Sequence, residues 1–171
     1  MSGSHPRAPE SYPLCTGNGH VGAPGGYAGK ALIVDVTVSG TAATILPLEE
    51  AVLRAYLGGA GLGAWLLHRL APPRVDPCSA RAPLAFVFSP LVGTPLTTSA
   101  KFAVVAKSPL TGMLNDALAS SQFAISGKLT GHDAIVLTGR APTPSVLLVD
   151  GPTPRLLAAG DTWGLPAAQA E

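Results

Sequence analysis

The chain has 171 residues, of which only 12% are charged and 47% are hydrophobic, and its formal net charge is +1. Globular proteins carry about 25% charged residues, so this composition excludes a highly charged, disordered chain. The near-neutral balance gives no electrostatic reason to expect nucleic acid or an anionic membrane as a partner. No apolar run reaches the ~18–20 residues of a membrane span, and we expect a soluble, cytoplasmic protein with one main domain.

The N-terminal segment differs in composition from the rest. Residues 1–25 are rich in Gly, Pro and Ser and lack the continuous apolar core of a secretory signal. We interpret them as a disordered leader that precedes a folded domain over residues 26–171. The two cysteines, Cys15 and Cys78, are too few for an iron–sulfur cluster, which is held by four thiolates. We expect both to be reduced thiols.

The first part of the domain has the pattern of a β-hairpin. Ala31–Val38 is rich in β-branched residues and predicts a strand, and Thr41–Leu46 predicts its partner. Ser39-Gly40 lies between the two runs and suits a tight turn. A hairpin is therefore expected at the start of the fold.

Two helices are predicted next, near 48–57 and 62–70. Pro47 suits a helix start, apolar residues recur with helical spacing, and Pro72-Pro73 ends the second helix. Glycines 58, 59, 61 and 63 lie between and within these helices. They have neither the preceding strand nor the lysine of a phosphate-binding loop, so we interpret them as sites of close helix packing.

A tetrapeptide repeat organises the centre of the chain. Predicted strands Leu84–Phe88 and Phe102–Ala106 are each followed by Ser-Pro-Leu with a glycine two places on, at Ser89–Gly93 and Ser108–Gly112. Proline has no ladder donor and belongs where a strand ends. The repeat predicts two related loops, side by side on one face of a sheet.

The last part predicts a short small-residue helix near 119–128 and further strands. These strands are Asp133–Thr138, Ser145–Val149 and Arg155–Ala158, with a hairpin turn at Asp150-Gly151. The predicted fold class is α+β, with twisted, mainly antiparallel β-sheets and two or three short helices.

The chain contains no complete catalytic or metal-binding set. It lacks a Cys/His ligand cluster and paired carboxylates at motif spacing, so we assign neither catalytic nor metal-ligating residues. His132 and Asp133 are adjacent, but neighbours on a strand point to opposite faces, and we interpret both as structural. What remains is a binding surface of loop amides, with Lys101, Lys107 and Lys128 as candidate ligands for phosphate oxygens.

Six short motifs are shared, in the same order, with one known family. They are Gly26-Tyr27-Ala28-Gly29-Lys30, Leu57-Gly58-Gly59-Ala60-Gly61-Leu62-Gly63, Val75-Asp76-Pro77, Lys107-Ser108-Pro109-Leu110-Thr111-Gly112, Gly131-His132-Asp133-Ala134-Ile135 and Trp163-Gly164. Together they resemble the N-terminal domain of the aldehyde ferredoxin oxidoreductases, the tungsten- or molybdenum-pterin enzymes. The resemblance implies a β-rich base on which a bis-pterin metal cofactor rests.

The resemblance also implies four cofactor-binding positions. In the family, an arginine entering the middle strand and an asparagine/glycine loop hold the pterin phosphates. By position the arginine becomes Lys101, which keeps the charge without the bidentate fork. The asparagine becomes Leu118, and two glycines become Ser120 and Ser121, which add side chains where the backbone must approach closely.

The implied function is that of the N-terminal cofactor-binding part of an aldehyde:ferredoxin oxidoreductase-like enzyme. Such an enzyme oxidises an aldehyde to a carboxylic acid and passes electrons through a [4Fe-4S] cluster to ferredoxin. The family's second pterin loop and four cluster cysteines are not in this sequence. We therefore expect the chain alone to be inactive, and its partners to be the remaining domains or a separate subunit, with a homodimer left open.

A second function from another class is consistent with the same residues. The chain is then a non-catalytic binding or assembly module that kept the fold and lost tight pterin binding. The replacements at Lys101, Leu118, Ser120 and Ser121 favour this alternative. The retained loop motifs favour the first function, the cofactor-binding part of an enzyme.

Overall fold

The computed structural model describes residues 25–37, 42–150 and 153–170. The strands are β1 (Lys30–Asp35), β2 (Ala42–Pro47), β3 (Leu84–Phe88), β4 (Lys101–Lys107), β5 (Leu114–Ser120), β6 (Ala134–Thr138), β7 (Ser145–Leu148) and β8 (Arg155–Ala158). The helices are α1 (Glu50–Tyr56), α2 (Gly59–Leu70), α3 (Gln122–Leu129) and α4 (Ala167–Ala170), with a 3₁₀ turn at Gly160–Thr162. No helix in the described ranges is long and apolar enough to cross a membrane. The predicted leader, except residue 25, and the predicted Ser39-Gly40 turn lie outside these ranges.

Six strands form one sheet in the order β2-β1-β6-β3-β4-β5. Every neighbouring pair is antiparallel except β1 and β6, which run parallel. Strands β7 and β8 form a separate antiparallel hairpin. The predicted α+β class, with mainly antiparallel sheets and a few short helices, is confirmed.

Alternation along the strands gives the sheet two buried faces. On the helix face, covered by α1 and α2, the buried residues include Ala85, Val87, Ala103 and Val105 from the sheet and Leu62 and Leu66 from α2. The opposite, hairpin face buries Leu32, Val34, Phe88 and Ile135 beneath α3 and β7, whose Phe123 and Leu147 pack there. Burial on both faces explains the near-continuous apolar runs of the central strands.

The glycines around α2 are packing sites, as the sequence predicts. A Cβ atom added at Gly63 would overlap the Val105 side chain, so the bare glycine lets α2 lie close against β4. A Cβ added at Gly58 would lie 2.9 Å from the Pro90 ring and 3.1 Å from the Phe88 carbonyl oxygen. These close approaches fix the position of α2 on the sheet.

The prediction of a helix near 119–128 starts that helix too early. Leu118–Ser120 belong to strand β5, whose seven residues pair with Lys101–Lys107 of β4. The segment consists mostly of small residues with weak local preference, so cross-strand hydrogen bonds decide its conformation. The helix starts after Ser121, whose side chain caps it.

The two Ser-Pro-Leu loops do not lie side by side, so that prediction is wrong. Strands β3 and β4 are antiparallel, and Phe88 at the end of β3 pairs with Phe102 at the start of β4. The loop at Ser89–Gly93 therefore lies at one end of β4, and the loop at Ser108–Gly112 follows its other end. A seven-residue strand separates them by about 20 Å.

Candidate functional site

Three of the four predicted cofactor-binding residues lie together where β4 begins and β5 ends. Lys101 pairs with Ser120 across the two strands, and its Nζ donates a hydrogen bond of 2.8 Å to Ser120 Oγ. Leu118 lies two residues before Ser120 and therefore on the same face of the strand. Its side chain is 65% exposed. Because β5 is the edge of the sheet, this surface is open to a ligand.

The positive charge of Lys101 has no carboxylate partner among the described residues. The ion pairs in those ranges are Arg54–Glu50, Lys128–Asp133 and Arg155–Asp150. The only hydrogen bond of the Lys101 ammonium in the described part of the chain goes to a neutral hydroxyl. An ammonium in this state retains its attraction for an anion.

The N-terminus of α2 lies beside the same residues. Gly58 precedes the helix without a side-chain cap, and the first turn carries no acidic residue. A Cβ atom added at Gly59 would lie 4.0 Å from the Cβ of Ala103. Ala103 is two residues along β4 from Lys101. The unpaired amides and dipole of a helix start favour negative charge. We call Lys101, Leu118, Ser120 and the start of α2 the Lys101 corner.

Ser121, the fourth predicted residue, caps the helix that follows β5. Its Oγ accepts a hydrogen bond of 3.2 Å from Phe123 N–H at the start of α3. Its N–H donates to the Ala100 carbonyl at 3.3 Å. Adjacent strand residues point to opposite faces, so Ser121 caps α3 while Ser120 contacts Lys101. Ser121 therefore lies next to the corner and holds the start of α3.

The other two candidate lysines also make structural contacts. Lys107 lies at the opposite end of β4 from Lys101, and its Nζ donates to the Val75 carbonyl at 2.6 Å. The Lys128 ammonium lies 2.5 Å from an Asp133 oxygen, and its side chain is only 8% exposed. The charge of Lys128 is compensated by Asp133, whereas Lys107 donates to a neutral carbonyl oxygen.

Asp133 anchors the loop that carries the first family motif. Its carboxylate accepts hydrogen bonds from the Ala28 N–H at 3.0 Å and the Gly29 N–H at 2.7 Å, in addition to Lys128. The Asp133 side chain is buried. In the same loop as Ala28 and Gly29, the Tyr27 ring packs against the Lys128 ammonium. Burial, and then the charge of Asp133, raises the pKa of the Tyr27 phenol. The structural interpretation of Asp133 is confirmed.

The start of α2 was not predicted from the sequence as part of the site. Pro90, in the first Ser-Pro-Leu loop, contacts both Gly26 and Gly58, so three motif loops meet at this end of the sheet. The available signal was a glycine pair directly before a helix whose first turn has no acidic residue. The same glycines also serve close packing, so their residue type alone does not distinguish the two roles.

Comparison with known sequences identifies related proteins. The family model for the aldehyde ferredoxin oxidoreductase N-terminal domain matches residues 32–171. The chain is 34% identical over 146 residues to a tungsten-containing aldehyde ferredoxin oxidoreductase of Pyrococcus abyssi, covering 85% of this chain and 24% of that protein. It is 33% identical over 123 residues to a protein of the same name from Pyrococcus furiosus, covering 72% of this chain and 20% of the relative. The chain thus spans about a quarter or less of these relatives.

The relatives extend beyond aldehyde oxidation. The WOR-like subunit of an aliphatic sulfonate oxidoreductase from Pyrococcus furiosus is 30% identical over 142 residues, which cover 81% of this chain and 22% of that subunit. The fold is also similar to a solved structure, the active site complex BamBC of benzoyl coenzyme A reductase in complex with 1,5-dienoyl-CoA. That likeness has a TM-score of 0.78 at 27% identity and covers 85% of this chain and 22% of the other.

Proposed function

The chain belongs to the aldehyde ferredoxin oxidoreductase family, whose N-terminal domain it carries, and we propose that it forms one wall of a metal–pterin cofactor site. The proposal places the domain at residues 26–171, after a leader at 1–25. It is supported by the family match and by the uncompensated charge at the Lys101 corner. Two of the relatives are named as tungsten-containing, which favours tungsten over molybdenum.

The side chains at the Lys101 corner fit the phosphate end of such a cofactor. The Lys101 ammonium and the start of α2 are both positive, and a helix start of this kind accepts oxyanions. Ser120 Oγ accepts its hydrogen bond from Lys101, so its own hydrogen remains available to a phosphate oxygen. Leu118 is exposed beside them and offers apolar contact. This donor set carries the proposal.

The role of the chain in catalysis is to bind and orient the cofactor. When bound, the metal–pterin group would supply the two-electron chemistry that converts an aldehyde to a carboxylic acid. Lys101 would hold the phosphate of the cofactor, while Ser121 and Asp133 hold neighbouring loops in place. The iron–sulfur acceptor and the ferredoxin contact belong to the rest of the enzyme, as further domains or a second subunit.

A single lysine is insufficient to hold the cofactor without the rest of the site. A good hydrogen bond to a charged group contributes roughly 1.5–3 kcal/mol. Immobilising a large ligand costs an estimated 4–15 kcal/mol. The chain should therefore bind the cofactor weakly, and we propose that it is inactive without the remaining parts of the enzyme.

One observation favours the alternative, a non-catalytic assembly module. The Lys101 ammonium already donates a hydrogen bond to Ser120. The side chain of Ser120 also lies where the resemblance implies glycine. A module of this kind would keep the sheet and its helices but would not bind pterin. The same variants distinguish the two functions.

The test is an anaerobic fluorescence titration of the 171-residue chain with purified molybdopterin. The expected result is weak, saturable binding that weakens about tenfold in Lys101→Met, as loss of one charge-assisted hydrogen bond predicts, and persists in Lys101→Arg. Arg69→Met removes an exposed positive charge near the far end of α2 and should leave binding unchanged. Binding that Lys101→Met leaves intact, or no saturable binding by the native chain, favours the assembly module.

A further inference from the structure

A cavity of about 690 Å³ lies on the hairpin face, between the sheet, α3 and the end of β7. Its polar lining consists of Lys30, Ser126, Thr130, His132 and Asp150. Pockets that bind small molecules span about 300–1,000 Å³. The Lys101 corner lies on the other, helix face of the sheet. This hairpin-face cavity is therefore a separate feature of the molecule.

The hydrogen bonds around His132 determine which of its ring nitrogens carries the proton. The Thr130 hydroxyl donates its only hydrogen to the Gly127 carbonyl at 2.6 Å. Across the 3.0 Å contact with His132 Nδ1, Thr130 Oγ1 must then accept, and Nδ1 must donate. This assignment rests on the hydrogen-bond network. In neutral His132 it leaves Nε2 with a free lone pair.

That Nε2 atom is exposed, on a residue that lines the cavity. It makes no hydrogen bond with a described residue. In the described part of the chain, every buried side-chain nitrogen or oxygen has a partner. Nε2 therefore cannot be buried, although the residue as a whole is only 6% exposed. The hydrogen bond to Thr130 holds the ring in one orientation, with its free edge available.

The charges around the cavity favour an anion. Lys30 is half-buried and forms no ion pair with any described residue. The one carboxylate in the lining, Asp150, is already paired with Arg155 at 2.8 Å. The lining thus presents one uncompensated ammonium next to an imidazole with an accessible nitrogen. A group with negatively charged oxygens matches both.

We propose that the hairpin-face cavity binds the oxyanion group of a small organic ligand between the Lys30 ammonium and His132, and that His132 takes up a proton on binding. The proton enters at Nε2, which then donates to the anion while Nδ1 continues to donate to Thr130. The Ser126 hydroxyl, in the same lining, is a further donor. This proposal does not depend on the cofactor site at the Lys101 corner.

The electrostatics of the cavity agree with this coupling. Burial, and then the charge of Lys30, lowers the pKa of His132, whereas the adjacent Asp133 acts in the opposite direction. Asp133 forms an ion pair with Lys128, and Asp150 forms one with Arg155. Neither carboxylate therefore fully compensates the positive charge of Lys30. An anion bound beside Lys30 would reverse its effect and raise the pKa of His132. Anion binding should therefore strengthen as the pH falls.

Sulfate is the probe of choice, because its charge does not change between about pH 5.5 and pH 8, where histidine titrates. We expect calorimetry on the 171-residue chain to show saturable binding about tenfold tighter at the lower pH, as one added charge-assisted hydrogen bond predicts. Titrations in two buffers of different ionisation enthalpy should show proton uptake. NMR should show that the pKa of His132 rises when sulfate is present.

Variants separate the two partners of the anion. Lys30→Met should weaken sulfate binding about tenfold, whereas Lys30→Arg should retain it. His132→Asn keeps a donor toward Thr130 but removes the Nε2 position, so binding should lose its pH dependence. Arg69→Met, which removes an exposed charge on the helix face, should behave as the native chain.

Circular dichroism verifies the fold of each variant, and the pH dependence of the native chain tests the proposal without any substitution. Three results would overturn the proposal. They are an absence of saturable sulfate binding by the native chain, equal affinity at both pH values, and equal loss of binding in Arg69→Met and Lys30→Met.

Discussion

The Lys128 ammonium and the Asp133 carboxylate form an ion pair of 2.5 Å in which the two side chains are only 8% and 1% exposed. The same carboxylate accepts hydrogen bonds from the backbone of Ala28 and Gly29. One buried side chain therefore joins the last turn of α3, the start of β6 and the loop before β1. The motif residues Gly26–Lys30 and Gly131–Ile135 are connected by this carboxylate.

Asp133→Asn should lower the free energy of unfolding by about 3–5 kcal/mol. The substitution leaves the Lys128 ammonium buried without a counter-charge, which is the costly way to break a buried ion pair. Urea unfolding measures the change. The matched control is Glu50→Gln, which breaks the exposed Arg54–Glu50 pair and should cost about 0.5 kcal/mol or less. Equal effects of the two variants would contradict the anchoring role of Asp133.

Gly63→Ala should destabilise the protein although alanine is the better helix former. The helix preference contributes up to about 1 kcal/mol in favour of alanine. The new Cβ, however, overlaps Val105, and overpacking a core costs about 1–3 kcal/mol. The measurement is the urea midpoint. Adding Val105→Ala makes room for the methyl group, so the double variant should be more stable than the sum of the two single effects predicts.

Stability should fall at acidic pH partly through His132. Its pKa is lowered in the folded protein from the ordinary value of 6.5, so the unfolded state binds more protons in this range. The stability that neutral His132 contributes is fully present above pH 6.5, the unfolded pKa. It is lost as the pH falls through the lower pKa of the folded state. The difference in unfolding free energy between native and His132→Asn proteins should depend on pH only in that window. A difference that is constant from about pH 8 to pH 5 would contradict the shift.

The isolated chain should self-associate through β5. This edge strand is exposed along its whole length, and Leu110, Met113, Leu114 and Leu118 are exposed in and beside it. Exposed apolar edges pair with other chains, and a lysine blocks such pairing. Leu114→Lys should reduce light scattering and hydrophobic-dye binding. Leu165→Lys changes a leucine of similar exposure elsewhere and should not. A native chain that is a compact monomer with little dye binding would refute the prediction.

Arginine at position 101 together with glycine at 120 should strengthen pterin binding. The native chain should contain tungsten or molybdenum and pterin well below one equivalent when purified, as metal analysis and released-pterin fluorescence would show. Lys101→Arg supplies a bidentate fork, and Ser120→Gly frees the cation at position 101 from its present partner. The two hydrogen bonds of the fork should outweigh the single donor lost with the Ser120 hydroxyl. Adding Ser121→Gly removes the α3 cap, which typically costs a few tenths of a kcal/mol, without improving binding further. Stoichiometric cofactor in the native chain would show that the serines already suffice.

Part of the fold followed from local patterns. Runs of β-branched residues located most strands, and the prolines and glycines located the ends of α1 and α2. Six motifs in order were sufficient to identify the family, because each depends on residue type and spacing alone. Position-by-position comparison with that family pointed to Lys101, Leu118 and Ser120, which lie outside the motifs and which the structure brings together.

The partners of these residues were decided only by the tertiary structure. Strand β5 has little local preference and exists because its backbone pairs with β4. The antiparallel direction of β3 and β4 separates the two Ser-Pro-Leu loops, although their sequences repeat. Lys107 looks as available as Lys101 in the sequence, yet it donates to the carbonyl of Val75, 32 residues away. Residue type fixes which interactions a side chain is able to make, whereas contacts between residues far apart in the chain determine which of them it does make.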